Sequence, residues 1–168
     1  MMIKFKHLFG FGFAMVSLSA CSDKGDGAPG PADGSQQEPL SSARLVIDET
    51  DVAPGASVTG RFIISLAEGW HTYSDPPGDS GMAPIITFSL PDDWSADLSP
   101  LPEAERFEDE SGVTFGYEEE LSVGFRLRVS DKAVSGSAAE IQLSIQYLIC
   151  NEICLPQSAD LRAGFNIH

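Results

Sequence analysis

Two cysteines with three residues between them stand in the segment Tyr147-Leu-Ile-Cys150-Asn-Glu-Ile-Cys154-Leu-Pro156, near the C-terminal end of a 168-residue chain. Thiols at this spacing can close a staple, hold a metal or exchange a disulfide with another molecule. A staple would gain little, because loop-closure stabilisation grows with loop length and a three-residue turn falls short of the ~3 kcal/mol of a 15-residue loop. A zinc or copper(I) site would have to recruit His71 or His168, since Cys-x3-Cys supplies only two of the four ligands a structural zinc takes. Nucleophilic catalysis of the protease kind has no recognisable base motif beside it, and neither cysteine opens a helix. The remaining reading is a redox-active dithiol, with no metal and no cofactor expected. Glu152 lies between the cysteines, and no Lys or Arg is near in sequence. The usual features that depress a thiol's pKa to ~3.5–7.5 are therefore missing, and slow reaction with small oxidants is expected.

The elements that must position this pair begin after an export signal. Lys4, Lys6 and His7 form a positive start, Leu8 to Val16 supply a short apolar run, and Leu18-Ser-Ala-Cys21 matches a lipobox. The apolar run is too short for a spanning helix, which needs roughly 20 residues. Residues 1–20 are therefore expected to be a lipoprotein signal peptide, the alternative being an ordinary secretory signal with a chance cysteine. Cys21 then becomes the lipidated first residue, held by acyl chains that each add about 0.8 kcal/mol per buried methylene. Ser22 after the cysteine, by resemblance to enterobacterial lipoproteins, favours the outer membrane over the inner. Residues 21–42 are rich in Gly, Pro, Asp, Ser and Gln and read as a flexible linker. Residues 43–168 are the size of one domain. The chain carries 25 Asp and Glu against 10 Lys and Arg. That balance argues against nucleic acid as a partner, because phosphate binding needs clustered cations. No second hydrophobic span, internal repeat or phosphate-cradling glycine motif is found.

Period-two alternation dominates the domain. Val58, Phe62, Ile64 and Leu66 share a face of a segment in which Gly60 marks a bulge or close approach. Leu121, Val123, Phe125, Leu127 and Val129 alternate with Ser122, Gly124, Arg126 and Arg128. Ile141, Leu143, Ile145, Tyr147 and Ile149 repeat the pattern, as do Leu161, Ala163, Phe165 and Ile167. Shorter candidates are Arg44 to Asp48, His71 to Ser74 and Ile85 to Leu90, separated by clusters such as Asp75-Pro-Pro-Gly78. Six to eight short strands without a convincing helix predict an all-β chain, an immunoglobulin-like antiparallel β-sandwich. Because Ile149 ends an inward series, Cys150 falls on the opposite face, Asn151 to Ile153 make the turn, and Cys154 opens the return strand. The two cysteines then face each other at an exposed tip and can approach disulfide geometry.

Gly69-Trp-His-Thr-Tyr73, Pro77-Gly-Asp-Ser-Gly81, Phe115-Gly-Tyr117 and the cysteine segment together resemble the N-terminal periplasmic domain of the thiol:disulfide interchange protein DsbD. Within that family the resemblance is to the ScsB-like form, and it covers essentially all of residues 43–168. The resemblance implies an immunoglobulin-like domain that passes electrons between a membrane-embedded partner and periplasmic oxidised proteins. It makes Cys154 the expected nucleophile and Cys150 the resolving thiol, and puts His71 and Tyr73 on strand positions facing them. Glu108, Asp109 and Glu110 resemble the acidic start of a loop that caps the thiols. The aromatic that follows this triplet in the family is replaced here by Ser111-Gly112, so Phe115 or Tyr117 is the candidate substitute. With no electron-carrying domain after His168, the donor is expected to be a separate membrane protein. The expected activity is thus thiol–disulfide exchange with periplasmic thioredoxin-like or disulfide-containing proteins. The competing reading is an envelope protein-binding sandwich whose disulfide is purely structural.

Overall fold

The computed structural model describes residues 39–110 and 112–168. The expected signal peptide, the lipidated Cys21 and the linker up to residue 38 lie outside the described residues. Among the described residues eleven strands follow one another: β1 (Ser41–Ile47), β2 (Asp51–Val52), β3 (Ser57–Leu66), β4 (His71–Gly78), β5 (Ile85–Ser89), β6 (Ser95–Leu98), β7 (Glu105–Asp109), β8 (Gly112–Glu118), β9 (Glu120–Arg128), β10 (Ala138–Cys150) and β11 (Cys154–Ile167). The count exceeds the six to eight expected. The additions are the short β2 and β6 and the pair β7 and β8, whose polar and glycine residues hide the apolar contrast that alternation needs. β4 also runs on through Asp75-Pro-Pro-Gly78, with a register shift against β8 between Tyr73 and Gly78.

One sheet has the order β1-β3-β9-β6, and the other runs β2-β11-β10-β4-β8-β7 with β5 also paired to β10. All pairings are antiparallel except that of β2 with β11, so the chain is the immunoglobulin-like sandwich expected. The alternating residues explain the two layers. β9 buries Leu121, Val123, Phe125 and Leu127, while Arg126 and Arg128 stay exposed. From the facing sheet, β10 sends Ile141, Leu143, Ile145, Tyr147 and Ile149 into the same interior. Burying each such side chain contributes about 1.5–3 kcal/mol, which makes this seam the main stabiliser of the fold. Gly60 is a close approach and not a bulge. It pairs in register with Phe125, and a Cβ there would meet Val46 O at 2.5 Å and the Phe125 ring at 2.6 Å.

β10 is the strand that links core to site. Its early residues, Gln142 to Gln146, pair with β5 on one edge, and its last two, Ile149 and Cys150, pair with Thr72 and His71 of β4 on that edge. The other edge is held by β11 along its whole length.

Candidate functional site

Cys150 and Cys154 are register partners at the end of the β10–β11 hairpin, with Cα atoms 4.1 Å apart and a disulfide between them. Asn151 to Ile153 make the turn, closed by Asn151 N–H donating to Ile153 O at 3.0 Å. Pleating then decides what meets the sulfurs. Cys150 lies opposite His71, so His71 and Tyr73, two residues apart on β4, point to its face of the sheet. Thr72 points the other way, is fully buried, and donates its hydroxyl to Leu148 O at 2.9 Å.

Beyond β4 the same sheet continues into β8 and β7, whose side chains on the face of Cys150 complete the site. β7 and β8 form a hairpin, and the register sets Phe107 opposite Thr114 and Asp109 opposite Gly112. Phe107 stacks on His71 with ring centroids 5.1 Å apart, and Tyr73 meets His71 edge-on at 5.3 Å. The residues after β4 are fastened to β8: Asp79 N–H donates to Val113 O at 2.8 Å, and Val113 N–H donates to Asp79 Oδ2 at 2.9 Å. Gly81, at φ +90°, leaves room for the Tyr73 ring, and a Cβ there would collide with it. The result is a partly open cavity of about 190 Å³. It is lined by His71, Tyr73, Ser80, Phe107, Asp109 and Thr114 together with Cys150, Asn151, Glu152 and Cys154 of the hairpin tip.

The two cysteines are unequal in burial. Cys150 is 2% exposed and Cys154 is exposed. The Tyr73 hydroxyl donates to Cys150 Sγ at 3.1 Å and lies 4.0 Å from Cys154 Sγ. Burial pushes the Tyr73 pKa up, and the negative charge of Asp109 adds to the effect, so the phenol stays protonated and remains a donor. Burial lowers the His71 pKa, opposed by the charges of Glu118 and Asp109. At neutral pH the imidazole is therefore mostly neutral. Among the described residues no cluster of three or more His, Cys, Asp or Glu side chains is arranged to hold a metal ion.

Of the residues singled out from sequence, Cys150, Cys154, His71, Tyr73 and Asp109 come together around the cavity. Glu110 is exposed at the β7–β8 turn and is not part of the wall. Phe115 and Tyr117 share a parity on β8 opposite to that of Thr114, so neither faces the thiols. Phe115 is 36% exposed, and Tyr117 enters the core, where its hydroxyl donates to Pro102 O at 2.9 Å. The aromatic over the site is Phe107, which precedes the acidic triplet. Sequence reading passed over it, along with Thr114 and Ser80. Phe107 shares its parity with Asp109, which becomes a signal only once β7 is known to be a strand.

The family model described as thiol:disulfide interchange protein DsbD, N-terminal, matches residues 42–165. The structure of the N-terminal periplasmic domain of ScsB from Proteus mirabilis is 22% identical with a TM-score of 0.56, over 73% of this chain and 45% of that one. This chain therefore spans less than half of that ScsB structure. The reduced DsbD N-terminal domain of Neisseria meningitidis is 22% identical with a TM-score of 0.45, over 74% of this chain and 85% of that one. At such identities the likeness is one of fold. No curated protein matches the chain. The family match takes in both cysteines and every residue of the cavity, and on that match the chain belongs to the family of the DsbD N-terminal domain.

Proposed function

We propose that residues 43–168 are a thiol–disulfide exchange module that passes electrons through the Cys150/Cys154 dithiol to or from periplasmic redox proteins. The observation that carries this reading is the unequal burial of the two bonded cysteines: Cys154 is exposed, and Cys150 is buried beside the Tyr73 hydroxyl. A staple has no use for that asymmetry. Thirteen register pairs already join β10 to β11, and a bond across the last of them adds little.

In the exchange, the Cys154 thiolate attacks a partner's disulfide and forms a mixed disulfide. The Cys150 thiolate then attacks Cys154 Sγ, the partner leaves as thiolate, and the intramolecular bond is restored. The partners are thioredoxin-like or disulfide-containing proteins, and the electron donor is a membrane-embedded carrier. His71, Tyr73, Asp109 and Phe107 surround the sulfurs during the step. Cleavage after residue 20 and lipidation of Cys21 tie the module to the periplasmic face of the envelope, at the outer membrane, with the residues from 21 to 38 as tether; Ser41 and Ser42, expected in the linker, open β1. The Cys21→Ser variant should then appear as a soluble, folded periplasmic protein; retention in the membrane fraction would refute the anchor.

The reduction potential of the Cys150–Cys154 bond tests the exchange itself. An exchanging bond should lie above about −300 mV, and a structural one below it. A value below that line would favour a protein-binding sandwich with a permanent disulfide.

A further inference from the structure

A disulfide can open in two directions, and the surroundings of this one favour a single direction. The Tyr73 hydroxyl is 3.1 Å from Cys150 Sγ and 4.0 Å from Cys154 Sγ. It has little freedom to change sides. Tyr73 is 5% exposed, its ring lies against Gly81, and the residues before Gly81 are fastened to β8 through Asp79 and Val113. A thiolate accepts a hydrogen bond far more strongly than a disulfide sulfur does, so a fixed donor stabilises whichever sulfur gains charge as the bond breaks. Here that sulfur is Cys150.

We infer that Tyr73 sets the direction in which the disulfide opens, holding Cys150 as the leaving thiolate while the incoming thiolate bonds to Cys154. This rests on reading the Cys150–Cys154 bond as one that exchanges. The incoming sulfur forms a bond to Cys154 Sγ, the Cys150–Cys154 bond breaks, and its electron pair passes to Cys150 Sγ. Tyr73 keeps its proton and donates through it. Burial and the charge of Asp109 both resist loss of that proton, so the donor persists through the neutral range. In the reverse step the same hydroxyl releases Cys150 as it attacks the mixed disulfide.

Glutathione opens the bond without any physiological partner, which separates this inference from the proposed function. The oxidised protein is treated with glutathione, quenched with acid and alkylated. In the wild type, glutathione should be found on Cys154 and the alkyl label on Cys150. Tyr73→Phe keeps the ring and removes only the donor. Its opening rate should fall about tenfold, equivalent to about 1.4 kcal/mol, and its reduced Cys150 should titrate about one unit higher. An opening rate and Cys150 titration unchanged in Tyr73→Phe would overturn the inference. So would glutathione captured mainly on Cys150 in the wild type, a result that needs no variant. If glutathione behaves as expected and no thioredoxin-like protein exchanges with the wild type, the proposed function fails and the role of Tyr73 stands.

Discussion

Over Ile141 to Tyr147, β10 buries every second side chain, whereas at Ile149 and Cys150 it buries two in succession. The strand and its ladder with β11 are continuous through both regions. What changes is the outer face. In the body of the strand Gln142, Ser144 and Gln146 alternate with the core residues and are partly or fully exposed. At the tip the same sheet extends from β4 into β8 and β7, and Phe107, Asp109 and Thr114 of those strands, with Ser80, line a cavity beside His71, Tyr73 and Cys150. A one-sided sheet surface makes a core and no more. The tip differs in holding one cysteine buried beside the Tyr73 hydroxyl and its neighbour exposed.

If the body carries stability and the tip carries reactivity, perturbations should separate them. The largest effect belongs to the body. Phe62 is fully buried between the sheets, and Phe62→Ala should cost about 3–5 kcal/mol in a denaturant melt. A loss below about 1 kcal/mol would mean that the seam is not the main stabiliser.

Removing the disulfide should cost less. The Cys150→Ala/Cys154→Ala double variant closes no loop, and the loop lost is short enough that stability should fall by no more than about 2 kcal/mol. A cooperative thermal transition should survive. Its disappearance would make the tip a structural staple and erase the contrast.

The smallest effect is electrostatic. Burial holds the folded-state pKa of His71 below its ordinary 6.5, so below that pH the unfolded chain takes up the proton before the folded one does. The stabilising contribution is complete above 6.5 and is lost as pH falls from there toward the lowered folded value. His71→Phe should flatten the pH dependence of the melting temperature in that window. Wild-type protein gaining stability from His71 on acidification would mean that Glu118 and Asp109 outweigh burial.

The same contrast explains how much could be read from sequence. Where one face meets a core and the other meets water, alternation is legible, and β3, β9 and β10 were found from Val58, Leu121 and Ile141 onward. The facing cysteines followed from the parity of Ile149. Where both faces are covered the pattern fades. β8 presents Thr114, Gly116 and Glu118 to the site and Phe115 and Tyr117 to the other face, a mixture without apolar contrast. The first half of β11 lacks contrast for another reason: its outer residues Ser158 and Asp160 are exposed, but Gln157 and Ala159 stand at the inward positions. Phe107 could not be ranked above Phe115 without knowing that β7 pairs with β8. That pairing is a tertiary fact, carried by a polar hairpin with no strong local signal.

If the tip exchanges disulfides through Cys154 while Cys150 resolves, single-cysteine variants should differ when trapped with an oxidised thioredoxin-like protein. Cys150→Ser, which keeps Cys154, should accumulate a mixed disulfide, and Cys154→Ser should not. Equal trapping by both variants would contradict the assigned roles. Trapping by neither, with no exchange by the wild-type dithiol, would contradict the account as a whole.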